Sequence, residues 1–118
     1  MDKPPLAPLP PVIALVRDLM FSSKVTATAR AVGSEVQIIR DPGKLIGQTG
    51  RMLLVDLNLP GAIEAASMWK TENPSAQVVG FVSHVDTGTI QKAREAGLEV
   101  MARSGFVEGL AGLLETPK

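Results

Sequence analysis

Four apolar runs in this sequence each end in residues able to do chemistry. Residues 12–16 are closed by Arg17-Asp18, Leu53-Leu54-Val55 by Asp56, residues 77–82 by Ser83-His84, and residues 98–102 by Arg103-Ser104. If these runs are strands of one parallel sheet, their C-terminal ends share one edge. Open α/β sheets bind ligands on that edge. Two acids, a hydroxyl and a guanidinium would then converge. Carboxylates offer the hard oxygen ligands that magnesium takes. A carboxylate is also a nucleophile toward phosphorus when a metal neutralises the donor. Asp56 has the clearest setting. The run before it is continuously apolar, as in a strand buried on both faces, and the turn signal Asn58-Leu59-Pro60-Gly61 follows at once.

The elements that must position these residues are legible in the pattern. The first strand covers residues 12–16. Ser22 or Ser23 is the expected cap of a helix running to about Val32, with Val25, Ala29 and Val32 on one face and Gly33 as its stop. Val36, Ile38 and Ile39 make a second strand. Asp41-Pro42-Gly43 is a turn, followed by a short helix around residues 44–48. Residues 52–57 form the third strand. A helix from Ala62 to about Thr71, with Ile63 and Ala66 inward, is ended by Asn73-Pro74. Residues 77–82 form the fourth strand. Asp86 or Thr87 caps the next helix, which Gly97 stops, and residues 98–102 form the fifth strand. Phe106, Val107, Leu110, Leu113 and Leu114 lie at helical spacing. Strand and helix alternate throughout. The expected fold is α/β: a five-stranded doubly wound parallel sheet with right-handed crossovers, a flavodoxin-like three-layer sandwich.

The 118 residues suit one domain. Residues 1–11 carry Pro4, Pro5, Pro8, Pro10 and Pro11 and are expected to be an extended lead, with a single domain over residues 12–115. Aromatics are only 3%, so the core must be aliphatic. Lys+Arg and Asp+Glu both total 12, which removes the electrostatic footprint expected of a nucleic-acid binder. The absence of cysteine excludes a thiolate metal site and a cysteine nucleophile, and it fits a reducing compartment. No apolar stretch reaches the length of a transmembrane helix, and no signal-peptide pattern opens the chain. A cytoplasmic protein with no nucleic-acid or membrane partner is expected. His84 is the only histidine and reads as a solvated loop residue: Ser83, His84 and Asp86 are too close in sequence for a catalytic triad, and a lone histidine argues against a transition-metal site. Trp69 is expected to pack, or lie half exposed, on the helix after the third strand.

Over residues 12–115 the chain resembles the response-regulator receiver domain. The strongest match is Val55-Asp56-Leu57-Asn58-Leu59-Pro60-Gly61, close to the family's hydrophobic-Asp-x-x-x-Pro pattern. Gly80-Phe81-Val82-Ser83 matches the fourth strand, which ends in a family Thr or Ser. Ala93-Arg94-Glu95-Ala96-Gly97 matches the small-residue helix end before the fifth strand. The resemblance implies a non-enzymatic signalling module. Asp56 would be the phosphoacceptor, Asp18 and Asp56 would bind magnesium together with the Asn58 backbone carbonyl, and Ser83 would hydrogen-bond the phosphoryl group. Its partners would be a histidine kinase or a downstream signalling protein. A homodimer would form through the family's helix 4–strand 5–helix 5 face.

Three departures bear on those roles. Receivers carry two adjacent acids after the first strand, and here the pair is Arg17-Asp18, so any magnesium should bind weakly. The family's Lys-Pro after the fifth strand is replaced by Arg103-Ser104-Gly105, which leaves either Arg103 or Ser104 at the lysine position. Arg keeps the charge without the compact geometry of an ammonium, and Ser loses it. The family's switch aromatic is absent, with Val100 and Met101 in that region. Two accounts follow: a stand-alone receiver whose Asp56 accepts phosphate with impaired or atypical chemistry, and a phosphorylation-independent pseudo-receiver in which Arg17 or Arg103 stands in for magnesium. A flavodoxin-like binder of a small molecule or cofactor is the alternative of another class. Against it, Leu19-Met20-Phe21 stands where a glycine-rich phosphate loop would follow the first strand.

Overall fold

The apolar runs form strands because each is flanked by residues that end it. The computed structural model describes residues 10–82, 84 and 86–115. Its elements are β1 (Val12–Leu15), α1 (Leu19–Ala31), β2 (Val36–Ile39), a single 3-10 turn (Pro42–Leu45), β3 (Met52–Asp56), α2 (Ala62–Glu72), β4 (Gln77–Val82), α3 (Thr87–Glu95), β5 (Glu99–Ala102) and α4 (Arg103–Leu114). The strands pair in parallel in the order β2-β1-β3-β4-β5. The expected doubly wound sheet is therefore present. Its order reverses between β1 and β3, and the crevice at such a switch point is where this architecture places ligands.

Side chains alternate across each strand, and that alternation builds two cores. Ile13, Leu15, Leu53, Val55, Val78 and Val82 pack toward α2, with Trp69 buried among them. Val12, Ala14, Val16, Met52, Leu54, Val79 and Phe81 pack with Phe21 and Val25 of α1 and with Phe106, Leu110 and Leu114 of α4. The three phenylalanines of the chain meet in this second core: ring centroids lie 4.8 Å apart for Phe21–Phe81, 5.7 Å for Phe21–Phe106 and 4.5 Å for Phe81–Phe106. Phe106 and Leu110 are core residues, as expected, at 0% and 1% exposure. Each fully buried side chain of this size contributes roughly 1.5–3 kcal/mol.

Local turns follow from particular residues. Leu59-Pro60-Gly61-Ala62 is a tight turn closed by the Ala62 N–H donating to the Leu59 carbonyl, with Gly61 at φ +80. Proline second and a left-handed glycine third is the type II arrangement. Gly80 serves a close approach instead. A Cβ there would lie 2.6 Å from Leu57 Cδ1 and 3.0 Å from the Glu99 carbonyl oxygen.

Two local expectations are corrected. α1 begins at Leu19, not after Ser22 or Ser23, and Asp18 is its cap. Ser22 is buried inside the helix, and its hydroxyl donates to the Leu19 carbonyl. The Asp18 carboxylate outcompetes a later cap because it accepts two of the orphan N–H groups of the first turn. The turn after β2 is a 3-10 turn over Pro42–Leu45 rather than a helix around residues 44–48. Asp41 accepts the Gly43 N–H, and Pro42 pre-sets the backbone for the tighter turn.

Candidate functional site

The sheet register brings the strand-end residues together. Asp56 pairs with Phe81 on β4, and Val55, one residue earlier, with Leu15 on β1. Asp56 has the same parity as Met52 and Leu54, so it lies on the α1/α4 side of the sheet. There a cavity of about 290 Å³ is lined by Val16, Asp18, Phe21, Asp56, Phe81 and Arg103. Three residues singled out by their chemistry thus share one hollow: Asp18 from the start of α1, Asp56 from the end of β3 and Arg103 from the start of α4.

Each is fixed by a local cause. Asp18 Oδ1 accepts from the N–H groups of Met20 and Phe21, at 2.9 and 3.2 Å. Asp56 Oδ1 accepts from the Asn58 N–H at 3.0 Å, so the acid also shapes the turn that follows it. Arg103 is the first residue of α4, directly after the last residue of β5. Its Nη2 lies 3.7 Å from Asp18 Oδ2, and its guanidinium carbon is 4.9 Å from the centroid of the Phe21 ring.

The choice between Arg103 and Ser104 is decided for the cavity. Arg103 lines it, and Ser104 is exposed on α4 and does not. Arg17 is not among the lining residues; its Nε donates to the Arg40 carbonyl at 3.3 Å, toward the end of β2. Asn58 also stays outside the lining, but its side-chain oxygen accepts the His84 N–H at 3.2 Å and ties the β3 loop to the loop after β4. Ser83 lies outside the described residues. His84 is exposed. Asp86, the cap of α3, has its carboxyl held below the usual range, first by the Thr89 hydroxyl and then by the backbone N–H groups of the first turn.

The sequence reading missed Val16, Phe21 and Phe81 as the apolar floor of the site. The signal was available in part. Phe81 sits opposite Asp56 once the strands are aligned, and Phe21 falls one helical turn after Asp18. Trp69 is fully packed, and its indole N–H donates to the Gln48 carbonyl at 2.8 Å.

Two carboxylates that share their hollow with a guanidinium fit magnesium poorly. One Asp18 oxygen caps a helix and the other faces Arg103 at 3.7 Å, so neither is left open to a divalent ion without displacing a present partner. A phosphate cradle at the start of α1 is also disfavoured, because the Asp18 carboxylate already fills the N–H groups that would hold a cofactor phosphate.

No protein-family model matches this chain, and no curated protein does. Solved structures do. A BeF3-activated DrrB receiver domain is 17% identical, with 90% of this chain and 94% of that one covered and a TM-score of 0.75. A CheY-like response regulator receiver domain from Methanospirillum hungatei JF-1 is 15% identical over 91% and 94% of the two chains, with a TM-score of 0.74. The phosphorylated cyanobacterial phytochrome response regulator RcpA is 14% identical over 92% and 90%, with a TM-score of 0.72. At these identities the likeness is one of architecture. No helix among the described residues is long and apolar enough to cross a membrane. With its strand order, its crevice between β1 and β3 and its acid at the end of β3, the chain has the fold of the response-regulator receiver domains.

Proposed function

We propose that this chain is a receiver-like signal-transduction domain that acts in the cytoplasm through protein contacts. Asp56 is its would-be phosphoacceptor, with impaired magnesium and phosphoryl chemistry. The observation that carries the reading is the strand-end cavity, in which Asp18 and Asp56 share their space with Arg103. Two acids in one strand-end cavity support the phosphoacceptor part of the reading. The guanidinium lining the same cavity supports the impaired magnesium chemistry.

The arginine favours the phosphorylation-independent form of this reading over an active phosphoacceptor. Arg103 faces Asp18 at 3.7 Å, so the edge already has a cation. Output then depends on a surface rather than on a swinging ring: β5 carries Val100 and Met101 and no aromatic. We assign the contact surface to α3, β5 and α4, the counterpart of the family's helix 4–strand 5–helix 5 face, where a kinase, a downstream protein or a second copy would dock. An open hollow of about 570 Å³ lined by Thr87, Ile90, Gln91, Arg94 and Glu95 supports α3 as part of it. The balanced charge of the chain supports protein rather than nucleic acid as partner.

The test is intact mass after incubation with magnesium and a small phosphodonor such as acetyl phosphate. The expected result is an unchanged mass for the unmodified chain and for Asp56→Asn. A gain of one phosphate by the unmodified chain alone overturns the phosphorylation-independent form.

A further inference from the structure

The strand-end cavity contains a cation of its own, and its position sets what else can enter. Arg103 lies between two partners. Its Nη2 is 3.7 Å from Asp18 Oδ2, and its guanidinium carbon is 4.9 Å from the centroid of the Phe21 ring. A planar, delocalised cation pairs with a carboxylate and stacks on a ring at once, which a compact ammonium does less well. The ring is itself immobilised. Phe21 is 4% exposed and packs on both Phe81 and Phe106. The carboxylate is equally committed, because Asp18 Oδ1 caps α1 through the Met20 and Phe21 N–H groups.

We infer that Arg103 is a resident cation that takes the place of a divalent ion on this edge. It ties the start of α4 lightly to the start of α1 and opposes the entry of magnesium into the cavity. This deepens the functional reading above and rests on it. A divalent ion seated between Asp18 and Asp56 would enter a hollow that the guanidinium also lines, and its double charge doubles the repulsion. No third acid offsets that repulsion, since no three-ligand group of His, Cys, Asp or Glu occurs among the described residues. Moving Arg103 aside would sacrifice both the Asp18 pair and the Phe21 stack. The contact of α1 with α4, made chiefly by Phe21 on Phe106, then gains a modest tie from the chain's own arginine rather than from a phosphoryl group and its metal.

The experiment measures Mg²⁺ binding by calorimetry, and Mn²⁺ binding by the electron-spin signal of the free ion. It uses the full chain, Arg103→Gln, Arg103→Ala, and the double variant Arg103→Gln with Asp56→Asn. Far-UV circular dichroism and Trp69 emission establish that each variant is folded. The unmodified chain is expected to show no saturable binding at millimolar ion. Either neutral variant is expected to bind about tenfold more tightly or better once the like charge is gone, and the Asp56→Asn change should abolish that gain. Saturable binding by the unmodified chain as tight as that of the variants overturns the resident-cation account. So does an absence of binding in folded variants, because the guanidinium would then not be what excludes the ion. Equal metal binding with no phosphate gain overturns the resident-cation account alone, whereas an Asp56-dependent phosphate gain overturns the phosphorylation-independent form of the functional reading.

Discussion

Asp18 does two jobs that substitutions can separate. It caps α1 through two backbone N–H groups, and its second oxygen faces Arg103. Replacing a capping Asp by Ala costs about 1 kcal/mol, within a range of roughly 0.5–2. The ion pair adds little. Its side chains are 44% and 53% exposed and its N···O distance is 3.7 Å, so solvent screening holds it to the low end of about 0–1 kcal/mol. The negative charge at the helix start is worth a further ~0.3–1 kcal/mol at low salt. Asn caps as well as Asp does, so Asp18→Asn loses only the charge contributions and should cost under about 1 kcal/mol. Asp18→Ala loses everything and should cost about 1–2.5 kcal/mol. At this chain length that corresponds to a fall in Tm of roughly 3–12 °C for Ala and below about 5 °C for Asn. The assay is thermal and urea unfolding by far-UV circular dichroism, at low and at high salt. The Asn loss should shrink at high salt, while most of the Ala loss should persist. Equal losses for Asn and Ala, both abolished by salt, would refute the capping argument and assign the whole effect to charge.

Three further outcomes are expected. Gly80→Ala would force its Cβ to within 2.6 Å of Leu57 Cδ1 and 3.0 Å of the Glu99 carbonyl oxygen; a loss of about 1–3 kcal/mol in urea unfolding is expected from such overpacking. Trp69→Phe removes the donor to the Gln48 carbonyl while keeping most of the buried ring; it should lower stability by about 0.5–1.5 kcal/mol, because a part-buried acceptor loses its partner, and unfolding followed by circular dichroism checks it. Thr89→Ala should raise the Asp86 pKa toward its ordinary value of 3.8, since the Thr89 hydroxyl is the main cause of its depression. A carboxyl depressed by folding contributes stability above its unfolded pKa and loses it as pH falls through the folded one. The variant should therefore show a weaker acid dependence in that window, followed by carboxyl-resolved NMR titration.

Much of the fold was legible because the strands obey a simple rule. Runs such as residues 52–55 are apolar without interruption, and only a strand covered on both faces requires that. Helix starts were less legible. Leu19 and Met20 are exposed at 61% and 84%, so the first turn of α1 breaks the apolar period and the pattern points to Ser22 or Ser23 as the cap. The convergence of Asp18, Asp56 and Arg103 was foreseeable from topology alone, because parallel strands end on one edge. Which arginine shares the hollow with the acids was not. Arg17 and Arg103 follow strand ends in similar contexts, and only the backbone direction after each strand turns one toward Arg40 and the other onto Phe21. The part played by the Asn58 side chain was equally hidden, since a contact 26 residues away along the chain leaves no local signature.

The division of the core across the sheet gives the two halves of the molecule different optical identities. The chain has one tryptophan and no tyrosine, and its phenylalanines are all on the α1/α4 side. Trp69 lies on the other side, with α2. Its emission therefore reports the α2 half, while ellipticity reports the whole. Coincident melting curves by the two signals would mean that the sheet breaks as a single cooperative unit. Separated curves would mean that the half bearing the arginine and the acids has its own melting point, and that a docking partner could reorganise it without disturbing the other.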